Sequence, residues 1–135
     1  MTAMNSIIGK LKNRTQFLRV AASGKKWVTP GFVLQVRFRD LGENDFAEHE
    51  SIRIGYTVSK KVGGAVARNR VKRRLRALVL KAVLPHVSNN VDCVLIGRKN
   101  AFDRPFNFMV SDMILALKKL GVAQNNSDNM VEDKN

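Results

Sequence analysis

The residues of this chain best placed to do chemistry are the cations between Lys60 and Arg76, and that chemistry is recognition of a polyanion. Lys60, Lys61, Arg68, Arg70, Lys72, Arg73, Arg74 and Arg76 fall in this run, and no Asp or Glu interrupts the sequence between Glu50 and Asp92. Basic runs in tails bind polyanions without geometry. Here Val58, Val62, Val66, Val71 and Leu75 are threaded among the charges, so the cations are mounted on folded structure. With helical residues turning by about 100° each, Arg68, Lys72 and Arg76 make a row beside an apolar face. Asn69 and Arg73 form the adjacent row, and Arg70 and Arg74 lie on the other flank. Like charges four apart destabilise an isolated helix by roughly a few tenths of a kcal/mol per pair, and the helix dipole disfavours cations near the N-terminus. Mixed signs would serve solubility without that cost, so the pattern points to an anionic partner. Upstream, Lys60-Lys61 and Gly63-Gly64 lead into a helix N-terminus that can hold a phosphate. The spacing fits neither a P-loop nor a dinucleotide fingerprint. Asn69 can read a base edge or a sugar hydroxyl, or simply bond backbone.

Other candidate chemistry is sparse. Asp40, Glu43, Asp45, Glu48, His49 and Glu50 form the one acidic cluster. Their Gly, Asn and Ala context reads better as a solvated hairpin loop than as a metal site. His86 follows Pro85 at a helix end, and no Ser/His/Asp arrangement is present, so no self-sufficient active site emerges. The single Cys93 lies in the apolar run VDCVLIG and reads as a buried thiol, which excludes a disulfide framework.

The elements that must position these residues follow from pattern. The chain has 135 residues, 44% hydrophobic, enough for one core, and its net charge of +13 favours a partner that neutralises it. No apolar run approaches the ~18 residues of a membrane span, and the N-terminus lacks a secretory pattern, so the expected location is cytoplasmic. Residues 1–9 are expected to be loosely ordered. A helix is expected over Lys10–Ser23, a brief strand over Lys25–Thr29 and a strand over Phe32–Phe38. Ser51–Ser59 alternates Ile52, Ile54, Tyr56 and Val58 against Arg53, Gly55 and Thr57, which is a strand signature. A helix from Ala65 to Pro85 places Val71, Leu75, Leu78 and Ala82 on one face. A buried strand over Val91–Arg98 and an amphipathic helix over Phe106–Leu120 follow, with a folded domain spanning residues 10–121 and a polar, disordered tail from 122 to 135. The fold class is α+β, a single α-β-β-β-α-β-α sandwich.

The run RIGYTVSKKVGGAVARNRVKRRLR resembles the signature of the bacterial ribonuclease P protein family, in its SKK, its AV-x-RNR core and the K-R-x-x-R that follows. LKNRTQF, FVL and VDCVLIGRKNA agree in order and spacing, so the likeness covers roughly Leu11 to Leu120. It implies the same element order, a fold type shared with a ribosomal protein domain, and a left-handed β-α-β crossover against the usual rule. It also implies a small cofactor of a catalytic RNA that removes the 5′ leader of precursor tRNA. The chemistry would be carried by the RNA with Mg2+, leaving no catalytic residue and no metal on the protein. The expected partners are the catalytic RNA and the leader, with no membrane and no obligate protein partner. By motif, Ser59, Lys60, Lys61, Arg68, Asn69, Arg70, Lys72, Arg73 and Arg76 fall on RNA-facing positions. Phe17, Val20, Phe32 and Gln35 fall in a leader cleft between the sheet and the first helix. Ala21 and Gln35 stand where some members carry aromatics, which shifts leader binding from stacking towards shape, hydrogen bonds and charge. A structural RNA binder, such as a ribosomal protein, is the competing reading from composition, and the fold type does not separate the two.

Overall fold

In a computed structural model, residues 8–23, 25–39, 52–85 and 91–122 are described. The order is β1 (Ile8–Lys10), α1 (Arg14–Ala22), β2 (Lys25–Val28), β3 (Phe32–Phe38), β4 (Ile52–Thr57), α2 (Ala65–Leu78), β5 (Val91–Gly97) and α3 (Phe106–Lys119). Short 3-10 turns at Lys60–Val62 and Lys99–Phe102 precede α2 and α3, and a π-helical turn at Val79–Val83 extends α2. One five-stranded sheet runs β1-β4-β5-β3-β2, with β1 and β5 parallel to β4 and the remaining neighbours antiparallel.

The α+β class stands, with two changes to the expected element boundaries. Residues 8–10, expected partly as loose chain and partly as helix, are a strand paired with Ile52–Ile54. The helix starts later because Asn13 caps it: its side chain accepts from the Gln16 amide at 3.1 Å, and the Gln16 side chain accepts from the Asn13 amide at 3.3 Å. This reciprocal pair satisfies donors that the first turn leaves open. At the other end, Val122 is buried and its amide donates to the Leu117 carbonyl, closing the turn that ends α3. Residues 1–7 and 123–135, the acidic loop at 40–50 and His86 lie outside the described residues.

The two faces of the sheet differ in character. Phe32, Leu34, Val36, Ile52, Ile54, Cys93 and Leu95 join Val71, Leu75 and Leu78 of α2 and Met109, Met113 and Leu117 of α3 in the main core. The opposite face carries Val94, with Leu11 and Val20 packed on it and Phe17 alongside. Arg53, expected on the strand face opposite the isoleucines, is only 2% exposed. Its Nε and Nη2 donate to the two carboxylate oxygens of Asp92, each at 2.8 Å, and Arg39 Nη1 donates to the same group at 2.6 Å. A buried charge is tolerated only with such pairing.

Two glycines set the layer spacing. A Cβ on Gly55 would lie 2.6 Å from the Phe17 ring, and one on Gly97 would lie 2.8 Å from Val71. Gly55→Ala is therefore expected to cost about 1–3 kcal/mol by overpacking, read as a lower denaturation midpoint. The cost should shrink in a Phe17→Ala background; equal costs in both would place the crowding elsewhere. Cys93 supplies a second check. Burial, with Asp92 adding and Arg39 opposing, pushes its thiol up to about 12. The folded chain thus prefers the neutral thiol, so this contribution is complete below the ordinary value of 9.0 and is lost as pH rises through about 12. A thiol reagent used below pH 9.0 should modify Cys93 only as fast as the protein unfolds; rapid modification of the native protein would contradict this burial.

Candidate nucleic-acid interface

The approach to α2 is built to hold its basic residues outward. Ser59 caps the 3-10 turn, its Oγ accepting from the Lys61 amide at 3.3 Å, and Val62 is the buried anchor. Lys60 and Lys61 are left exposed. Gly63 has φ +147°, which a side chain would strain, and it turns the chain into the helix. Arg68 Nη1 donates to the Gly63 carbonyl at 2.9 Å, fixing this turn to the first turn of α2.

Four faces of α2 then separate. Val71, Leu75 and Leu78 are fully buried. Asn69 and Arg73 point to solvent beside Val66, which is 84% exposed. Lys72 and Arg76 lean towards the open end of β4, where the Arg76 guanidinium lies 5.7 Å from the Tyr56 ring centre. Arg70 and Arg74 turn the other way, onto the Lys99–Phe102 turn. Arg70 Nε donates to the Phe102 carbonyl at 2.8 Å, and Arg74 donates to the Ala101 and Arg104 carbonyls at 2.7 and 2.6 Å. Burial, then the charge of Arg70, lowers the Arg74 guanidinium from its ordinary value, with Asp103 opposing. Arg70, placed by motif among the RNA-facing residues, thus spends its Nε holding two elements together.

A cleft of about 220 Å³ opens where β1 stops and the β4 edge continues. Lys10, Phe17, Gly55 and Tyr56 line it together with Lys72 and Arg76. Phe17 of the expected leader cleft and the Lys72–Arg76 row of α2 therefore share one concave surface. Burial pushes the Tyr56 phenol up to about 12 against the opposing charge of Arg76, with Cys93 adding, so its hydroxyl is a neutral donor. Tyr56 and Lys10 were not singled out by sequence as site residues; the inward alternation of β4 made Tyr56 look like core.

The other expected cleft residues divide. Gln35 is half-buried on the α1 side of the sheet, as is Phe17. Val20 and Phe32 are 0% exposed and present no side-chain surface to the cleft in this structure. Val20 lies beneath α1 with Leu11 and Val94. Phe32 belongs to the opposite layer because it stands an odd number of positions from Gln35, and strand side chains alternate. Among the described residues no group of three or more His, Cys, Asp or Glu side chains is placed to hold a metal, and no helix is long and apolar enough to cross a membrane. The acidic cluster, His49 included, falls outside them.

Fold and surface together define a small α+β domain that presents cations on a fixed scaffold beside a half-buried aromatic cleft. Residues 9–121 match the Ribonuclease P family. The ribonuclease P protein component of Paramagnetospirillum magneticum is 42% identical over 121 residues, covering 90% of this chain and 89% of that protein. That of Gluconacetobacter diazotrophicus is 45% identical over 113 residues, covering 84% and 91%. The solved ribonuclease P protein of Staphylococcus aureus superposes with a TM-score of 0.66 at 25% identity, over 85% of this chain and 97% of that one. The Thermotoga maritima protein superposes with a TM-score of 0.59 at 27% identity, over 80% and 93%. The chain belongs to the bacterial ribonuclease P protein family. It is thereby a protein component of the endoribonuclease that processes the tRNA 5′ end, associated with the RNA of that enzyme.

The division of labour along α2 is measurable. Arg74→Ala should lower stability by about 1–3 kcal/mol, because it strands two carbonyls. Arg73→Ala should change it by no more than about 0.5 kcal/mol. Equal denaturation midpoints for the two variants would contradict the assignment.

Proposed function

We propose that this protein binds the catalytic RNA through Ser59–Lys61 and α2, and takes the 5′ leader of precursor tRNA along the Phe17 cleft. In this reading it promotes endonucleolytic removal of the leader while the RNA carries the hydrolysis with Mg2+. The observation that carries it is the cleft at the β4 edge, where Phe17 and Tyr56 meet Lys72 and Arg76 on one surface. A single strand needs such a combination of a flat apolar surface for bases and fixed cations for phosphates. Stacking on one aromatic ring is worth roughly 1–3 kcal/mol per base, and Ala21, which is exposed on α1, adds no second ring beside it. Phe17 is therefore the main stacking platform on the α1 side. Lys10, Lys72 and Arg76 supply the charge. The family's Arg68, Asn69, Lys72, Arg73 and Arg76 then face RNA, with Arg68 doubling as the tie to Gly63. The protein holds no catalytic group of its own in this scheme, and its site of action is the cytoplasm.

The experiment is cleavage of a precursor tRNA by the cognate RNA at low magnesium, with and without the protein. Faster cleavage and tighter precursor binding with the protein are expected; no change in either would end the cofactor reading. Phe17→Ala should weaken binding of precursor more than of mature tRNA, by roughly fivefold or more if one stacking contact is lost. Equal losses for both would assign Phe17 a folding role alone.

A further inference from the structure

Two half-exposed phenylalanines on the far flank of α2 take no part in the surface described above. Phe102 closes the 3-10 turn before α3 and is 39% exposed; Phe108 stands on the outer side of α3 and is 49% exposed. Each lies under a guanidinium: Arg70 at 4.7 Å from the Phe102 ring centre and Arg104 at 5.4 Å from that of Phe108. Both arginines are held in place. Arg70 Nε donates to the Phe102 carbonyl, and Arg104 Nε donates to Asp112 Oδ2 at 2.9 Å. Arg74 ties the two pairs together through its bonds to the Ala101 and Arg104 carbonyls.

Scattered exposed apolar side chains are ordinary, but here two rings stand together beside a cationic helix, each already paired with an arginine. Aromatic rings and arginine planes are the surfaces on which unpaired RNA bases stack, and cation–π pairing keeps both planes oriented beforehand. The charge selects the occupant. Lys99, Arg70, Arg74 and Arg104 outnumber Asp103 and Asp112 around the rings. A second copy of this chain, itself at +13, would meet like charge here. A polyanion would not. Continuity points the same way, since Arg70 and Arg74 rise from the helix whose opposite flank carries Lys72 and Arg76.

We infer that the Phe102–Phe108 flank seats unpaired nucleotides of the same RNA that α2 binds, so that the helix is gripped from both sides. The inference rests on the RNA-binding reading of α2. It does not involve the leader cleft, which lies across the helix.

The test uses the full chain and the cognate ribonuclease P RNA transcribed in vitro. Phe102→Leu with Phe108→Leu keeps apolar bulk and removes both rings. Binding of that RNA should weaken by roughly tenfold or more, the scale of one to two lost stacking contacts, while preference for precursor over mature tRNA is unchanged. If the double variant melts early, Phe108→Leu alone, on the outer side of α3, should still weaken binding by at least about threefold. Wild-type affinity in these variants, alongside a clear loss in Lys72→Ala, would overturn the second seat and leave the α2 reading intact. Wild-type affinity in all of them, Lys72→Ala included, would remove the α2 reading and this inference with it. Loss of self-association or of a protein contact without loss of RNA affinity would also overturn it.

Discussion

The cationic surface between Arg68 and Arg76 depends on how α2 is seated. Val71, Leu75 and Leu78 are completely buried, and Gly97 lets Val71 approach the sheet more closely than any side chain there would permit. Burying three aliphatic side chains contributes roughly 1.5–3 kcal/mol each. The like-charge pairs along the helix cost roughly a few tenths of a kcal/mol each. The apolar face wins by a wide margin, and it does so at one rotation of the helix. That rotation sends Lys72 and Arg76 to the β4 edge, Asn69 and Arg73 to solvent, and Arg70 and Arg74 to the turn before α3.

The arginines of one short helix consequently do different work. Arg74 contributes to stability through carbonyls of the neighbouring turn, and Arg68 braces the glycine turn. Arg73 is exposed, and in the proposed reading it contributes to binding and not to the fold. Gathering six cations on α2 would be a poor way to stabilise a fold, but three of them, Arg68, Arg70 and Arg74, donate to backbone carbonyls of neighbouring turns. The surface that remains is preorganised, so binding loses less side-chain freedom than a flexible basic tail would.

Much of this was legible in the sequence because it is local. The strand alternation of Ile52, Ile54 and Tyr56, the rows of α2, and the signature from Ser59 to Arg76 all lie within short windows. The parity of Phe32 and Gln35 and the Asn13-x-x-Gln16 cap are equally local signals, and both were missed: the expected cleft joins the two residues and the expected helix begins at Lys10. What could not be read were pairings between distant segments. Arg53 is buried because Asp92 reaches it from the adjacent strand, 39 positions on. Arg70 finds its acceptor 32 positions away, which no helical wheel reveals. The three-residue strand at Ile8 exists only through its partner at Ile52. The cleft shared by Phe17 and Arg76 is of the same kind: each was visible separately, and only the sheet edge brings them together.

In the proposed reading α2 is an electrostatic interface whose cations meet phosphates. The most direct measurement is the salt dependence of affinity for the cognate RNA, comparing the wild type with the Arg68→Ala, Lys72→Ala double variant. Each lost phosphate contact should flatten the log–log slope by roughly 0.7–0.9, so the double variant should bind more weakly and with a visibly shallower slope. A slope identical to that of the wild type would place the RNA elsewhere on the protein and contradict the account.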